Sequence, residues 1–217
     1  KNVAIKTNKE FSEKLGIEQS AAITCVKPSG TVSQLVDSAS GIHARHNPYY
    51  IRTVRADNKD PLCKFMKDAE FPNEPDVLRP KHTTVFSFPM KSPKNAICRT
   101  DITAIEQLKI WSTYQKHWCE HKPSITISVK EPEWPEMGNW VWQNFDDISG
   151  ISFLPFSEHT YRQAPYQDCT EEEFKGLFKK IPQNVDWSEL SKYEQQDYTV
   201  ASQELACSAD GCEIVDL

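Results

Sequence analysis

"DITAIEQLKIWSTYQKHWCEHKPSITISV", residues 101–129, sets a helix pattern directly against a strand pattern. Between 101 and 118, Ile102, Ile105, Leu108, Trp111, Tyr114 and Trp118 recur every three or four positions, the spacing of one apolar stripe on a helix. Residues 124–129, "SITISV", are then β-branched at close intervals and bounded by Pro123 and Lys130, which reads as a strand. Working outward, three further runs have strand composition: 22–26 ("AITCV"), 83–88 ("TTVFSF") and 150–156 ("GISFLPF"). A second helix is expected from Thr170, where Thr170 and Glu173 have capping-box spacing, until Pro182 stops it. Strands alternating with helices predict an α/β fold with parallel strands. The proline-rich, acidic segments 72–80 ("PNEPDVLRP") and 130–136 ("KEPEWPE") read as surface loops, and periodicity is lost after Tyr198. Two stretches follow: residues 1–198 as the folded part and 199–217 as a flexible tail. Four parallel strands make a poor sheet alone, because such sheets need both faces covered. With six Trp and ten Phe to bury as well, the chain is expected to dock on a missing half.

The chain has 217 residues, enough for one domain with a sizeable core or a large piece of a longer protein. It starts at Lys1 with no charged-then-apolar leader, so a processed or partial chain is expected. No apolar run approaches the ~20 residues that span a bilayer, so no membrane partner is expected. The net charge of −6 argues against a nucleic-acid polymer, whose phosphates need a basic surface, but leaves room for a single nucleotide. Seven cysteines, odd in number and irregular in spacing, fit reduced cytoplasmic thiols better than a secreted disulfide framework.

Two constellations carry candidate chemistry. In "CVKPSGTVSQL" (25–35), small hydroxyl residues surround a glycine between a strand pattern and a helix start. Within Pro28, Ser29, Gly30, Thr31, Val32 and Ser33, the amides of Gly30 to Ser33 are expected to be unpaired and the hydroxyls of Ser29, Thr31 and Ser33 to add donors for an anion. The same pattern also describes an ordinary hydroxyl N-cap. In the tail, Cys207 and Cys212 flank Gly211 at a separation a mobile segment can close, which suits thiol–disulfide exchange. Two incidental surface thiols are the alternative, and two thiols alone do not complete a zinc site. His117, Cys119 and His121 alternate at a helix end and do not share a face, so no metal site is expected there. The run 40–55 mixes His43, Arg45, His46, Arg52 and Arg55 with two tyrosines and fits a nucleotide site or a buried interface equally well. No catalytic triad, metalloprotease helix, Walker loop or dinucleotide fingerprint occurs.

Five ordered blocks then point one way: "AAITCVKPSGTVSQLVDSASGIH" (21–43), "NPYYIRTVR" (47–55), "HKPSITISVKEPEW" (121–134), "ISGISFLPFSEHTYRQAPY" (148–166) and "ELACSADGCE" (204–213). Together they resemble the C-terminal third of the adenosylcobalamin-dependent (class II) ribonucleotide reductases, of the monomeric ribonucleoside-triphosphate type. The resemblance implies a ten-stranded α/β barrel of two half-barrels, with the strand runs here as the last strands of the second half. It implies that Pro28, Ser29, Gly30, Thr31, Val32 and Ser33 bind the substrate's phosphates. Cys207 and Cys212 would carry reducing equivalents from a thioredoxin-like protein to the active-site disulfide. The implied cofactor is adenosylcobalamin, shared with an N-terminal half that is the implied partner. The reaction is thiyl-radical reduction of a ribonucleoside triphosphate to its 2′-deoxy form. The radical cysteine's Asn-x-Cys-Gly-Glu-like context is absent here, so the chain is not expected to be competent alone. Ala44 stands where proline is expected after "GIH". A non-catalytic nucleotide-binding or regulatory module, or a thiol carrier acting through its tail, are the alternatives.

Overall fold

The computed structural model describes residues 1–30, 32–156 and 161–194. In chain order its elements are α1 (Asn2–Leu15), α2 (Val32–Leu35), β1 (Tyr49–Asp57), α3 (Pro61–Asp68), β2 (Asn73–Pro75), β3 (Thr83–Lys91), α4 (Ala104–His117), β4 (Thr126–Val129), α5 (Trp134–Gln143), β5 (Ser152–Pro155), β6 (Tyr166–Asp168) and α6 (Glu171–Phe178). They divide into two compact units, one of Lys1–Tyr49 with Lys91–Thr160, the other of Tyr50–Met90 with Tyr161–Leu217.

The first unit is built on the helix–strand pair read at 101–129. Thr103 caps α4: its hydroxyl accepts from the Glu106 amide at 3.2 Å, and the Glu106 carboxylate accepts from the Thr103 amide at 2.8 Å. Ala104, Leu108 and Trp111 form the buried face of α4 and pack on Ile125, Ile127 and Val129 of the β4 segment and Met137 of α5. Each large aliphatic side chain buried there stabilises the unit by about 1.5–3 kcal/mol. The Trp111 indole N–H donates to the Pro123 carbonyl at 3.2 Å, so even the polar edge of this buried ring is satisfied. β4 and β5 pair in parallel, Thr126 opposite Ser152 through Val129 opposite Pro155. Glu133 joins the elements: its carboxylate accepts from the Ala104 amide at the start of α4 (3.3 Å) and from the Lys130 amide just after β4 (2.8 Å).

The second unit has a four-stranded sheet in the order β2-β3-β1-β6, with β2–β3 and β1–β6 antiparallel. Asp60 caps α3 by accepting from the Leu62 amide, and Pro61 occupies the first turn, where its missing N–H costs nothing. α3 turns Cys63, Phe65 and Met66 into a core shared with Phe71 and Phe86. Phe65 packs against Trp187 in a tilted arrangement and against Tyr193 edge-to-face, at ring separations of 5.4 and 5.5 Å.

Several expectations are corrected. Residues 22–26 form no strand: the Thr24 and Val26 carbonyls accept from the amides of Glu120, His121 and Ser124, but no regular ladder develops. The parallel expectation holds for β4–β5 and fails for β2–β3 and β1–β6. The segment 72–80 contains β2, and 130–136 runs into α5, because Pro135 sits in the first turn, where a helix tolerates proline. The described strands form two open sheets, consistent with the expectation of a partial set of strands. The α/β reading itself stands, as do the strands at 83–88, 124–129 and 150–156, the helix at 101–118 and the Thr170–Glu173 capping box of α6.

Candidate functional site

The turn at 28–33 lies in the first unit, directly after the extended segment 22–26. Gly30 takes φ +66°, a left-handed conformation that favours glycine, and a Cβ added there meets nothing within 4 Å. The backbone thus bends sharply and leaves an open face over Gly30. The Ser29 amide donates to the Ser40 hydroxyl at 3.1 Å, and the Ser33 amide donates to the Ser29 hydroxyl at 3.0 Å. The Ser33 amide, expected to be free, is therefore satisfied within the chain, as is that of Ser29. Those of Gly30 and Val32 have no hydrogen-bond partner among the described residues. The Ser33 hydroxyl is buried and likewise unpartnered among them. Leaving such a group unsatisfied costs about 1–3 kcal/mol.

α2, which follows the turn, is four residues long. Its dipole is correspondingly small, so the anion affinity expected from a helix start must come from the local amides and hydroxyls around Gly30. Thr31 lies outside the described residues, as do Cys207 and Cys212.

A second turn supports the first from behind. Gly41, at φ +61°, lies so close that a Cβ there would stand 3.2 Å from the Lys27 carbonyl oxygen and 3.3 Å from the Pro28 nitrogen. Lys27 reaches across and donates from Nζ to the Lys122 carbonyl at 2.9 Å. Arg45, almost wholly buried, donates to the Ser38 carbonyl at 2.7 Å and to the Asp37 carboxylate at 2.8 Å, closing the segment behind α2. A cleft of about 330 Å³ opens beside it, lined by Ala39, His43, Ala44, Ile97 and Ile102 among others. The run 40–55 therefore divides: His43 and Arg45 brace the turn, while Arg52 and Arg55 belong to the sheet of the second unit. There Arg52 lies 4.5 Å from the Tyr166 ring centroid, and Arg55 pairs with Asp76.

Burial raises the pKa values of the Cys63, Cys98 and Cys119 thiols, and Asp101 adds to the effect at Cys98. These are inert packing thiols rather than nucleophiles. Among the described residues no group of His, Cys, Asp and Glu is placed to hold a metal ion, and no helix is long and apolar enough to cross a membrane.

Comparison with known proteins matches this architecture to one group. An adenosylcobalamin-dependent ribonucleoside-triphosphate reductase of Euglena gracilis is 31% identical over 206 residues, 94% of this chain. The enzyme of the same name from Lactobacillus gasseri is 28% identical over 84% of the chain. A crystal structure of a B12-dependent (class II) ribonucleotide reductase superposes on 90% of the chain with a TM-score of 0.73 at 26% identity. This chain is a relative of the class II ribonucleotide reductases. It spans 28% of the Euglena reductase, 25% of the Lactobacillus gasseri reductase and 27% of the chain in the class II structure. No family model matches it. Its relatives are reductases that depend on adenosylcobalamin, but no described residue here can be assigned to that cofactor.

Sequence reasoning located the turn at 28–33 but missed its support. Ser40, Gly41 and His43 lie within the quoted run, yet only their contacts to Ser29, Lys27 and Thr126 reveal what they do.

Proposed function

We propose that this chain is the C-terminal portion of an adenosylcobalamin-dependent ribonucleoside-triphosphate reductase and supplies two of its working parts. In this reading it completes, with an N-terminal half, a ten-stranded α/β barrel of which β4 and β5 are late strands. Pro28, Ser29, Gly30, Thr31, Val32 and Ser33 hold the substrate's phosphates. The observation that carries the assignment is the open face over Gly30, bordered by the Gly30 and Val32 amides, which have no partner among the described residues, in a chain similar to these reductases over nearly all its length. Amide donors there suit phosphate oxygens because the charge-assisted bonds need no titrating group. The buried Ser33 hydroxyl adds an unused hydrogen-bonding group to the same turn.

Adenosylcobalamin, shared with the N-terminal half, would supply the radical chemistry at the ribose when bound. The part of this chain is to fix the triphosphate so that the ribose is presented to that chemistry, and to deliver electrons afterwards. Cys207 and Cys212 give up two electrons and two protons to the active-site disulfide, become a disulfide themselves, and are reduced again by a thioredoxin-like protein.

The test is titration calorimetry of a ribonucleoside triphosphate into the full chain, alone and mixed with the N-terminal part of a relative. Phosphate-dependent binding that is lost in Gly30→Val supports the assignment. Binding unchanged by that substitution overturns it. Binding without any turnover in the mixture favours a nucleotide-binding module over a reductase component.

A further inference from the structure

His43 links the candidate phosphate turn to the first strand of the parallel pair. Its Nδ1 lies 2.8 Å from the Ser40 carbonyl oxygen, and the Thr126 amide at the start of β4 points to its Nε2 at 3.0 Å. A carbonyl oxygen only accepts and a backbone amide only donates. Nδ1 therefore carries the hydrogen and Nε2 is bare, which is one neutral tautomer out of the three possible ring states. Ser40 in turn accepts from the Ser29 amide through its hydroxyl, and Gly41 abuts Lys27 and Pro28. The contacts form a chain: Thr126 amide, His43 ring, Ser40 and Gly41, then Lys27, Pro28 and Ser29.

The two ends of the ring are not equivalent. The Ser40 carbonyl also accepts from the His43 backbone amide at 3.2 Å, so the 40–43 turn closes without help from Nδ1. Only Nε2 reaches β4, whose Ile127 and Val129 are fixed in the core under α4.

We infer that His43 is a positioning residue for the phosphate turn, acting as the bare-Nε2 tautomer that transmits the rigidity of β4 to Ser29 through Ser40. The inference rests on the reading of 28–33 as a phosphate site. It does so through the support of that site and not through contact with the ligand. The ring's hydrogen-bond partners are the Ser40 carbonyl and the Thr126 amide, so its effect on the turn runs through the backbone that carries the turn's amides.

Two substitutions separate the roles. Glutamine reaches as far as Nε2 and can accept from Thr126, whereas asparagine reaches only as far as Nδ1 and leaves the Thr126 amide unmet. In the full chain, His43→Gln should bind inorganic tripolyphosphate within about threefold of the unaltered protein. His43→Asn should bind tenfold or more weakly, a difference of about 1.4 kcal/mol. Hydrogen exchange gives a reading independent of the ligand: the Ser29 amide should exchange faster in His43→Asn and at nearly the original rate in His43→Gln. Nitrogen chemical shifts of the ring should mark Nδ1 as the protonated atom. Equal behaviour of the two variants in Ser29 exchange, or a ring protonated at Nε2, overturns the inference. If the unaltered chain binds no tripolyphosphate while the exchange contrast holds, the phosphate assignment falls and the positioning role stands.

Discussion

Arg55 and Asp76 form an ion pair whose two members live in different surroundings: Nε donates to Oδ2 at 2.9 Å, with the aspartate side chain 4% exposed and the arginine 39%. Asp76 also accepts from the amides of Leu78 and Arg79, each at 2.9 Å. Burial alone would raise its pKa, but the two amides and the guanidinium outweigh it and hold the carboxyl below its ordinary value.

Asp76→Asn should therefore destabilise the second unit at neutral pH, by about 1.5–3 kcal/mol given a buried charged acceptor. The sign of the pH dependence follows from the lowered pKa. The contribution is complete above the unfolded value of about 3.9 and is lost as pH falls through the lower folded value. Urea midpoints of the two proteins should differ at pH 7 and converge on the acid side of pH 4. A gap that persists unchanged into acid contradicts the assignment.

The glycines of the two turns should respond differently to alanine. Both Gly30 and Gly41 have positive φ, so each substitution carries a backbone cost of about 1 kcal/mol. Only Gly41→Ala also drives a methyl group into the Lys27–Pro28 backbone. Thermal melts should show Gly41→Ala as clearly the more destabilised of the two, and a reversed order would contradict the packing described.

Leu108 is fully buried between α4 and β4, and Leu108→Ala should cost about 2–5 kcal/mol, the range for a cavity left in a packed core. Chemical denaturation monitored by the fluorescence of neighbouring Trp111 reads this directly.

The cysteines should separate by accessibility. Brief alkylation of the native chain, read by mass spectrometry, should label the exposed Cys25 first among Cys25, Cys63, Cys98, Cys119 and Cys169. Cys63, Cys98 and Cys119 should react only after unfolding, because burial both hides them and disfavours the thiolate. On the proposed shuttle role, Cys207→Ser with Cys212→Ser should leave a first turnover intact in a reconstituted reductase and abolish repeated turnover with thioredoxin.

What could be read from the sequence follows from the range of the interactions involved. The 101–118 helix declared itself because its stripe is local, although Tyr114 and Trp118 at its end remain 39% exposed, and Ala104 and Gln107 are buried instead. The Thr170–Glu173 box was legible, whereas the identical spacing at Thr103–Glu106 lay inside a stretch already read as helix. β1 was missed because its buried residues, Tyr50 and Thr53, are three apart, and Arg52 and Arg55 interrupt the alternation that marks a strand. Asn73–Pro75 reads as a loop and becomes a strand only because β3 supplies its partners. At the candidate site, composition pointed to the turn itself. Its support depends on His43 meeting Thr126, a contact 83 residues away in sequence, which no local pattern encodes.

The parallel β4–β5 pair has four residues on each strand, too few to hold together as an isolated ribbon. Its persistence is lent by α4 and α5 through the cluster around Leu108, Ile127 and Met137. These four elements should open and close together as one cooperative foldon, so their slowest-exchanging amides should share a common opening free energy.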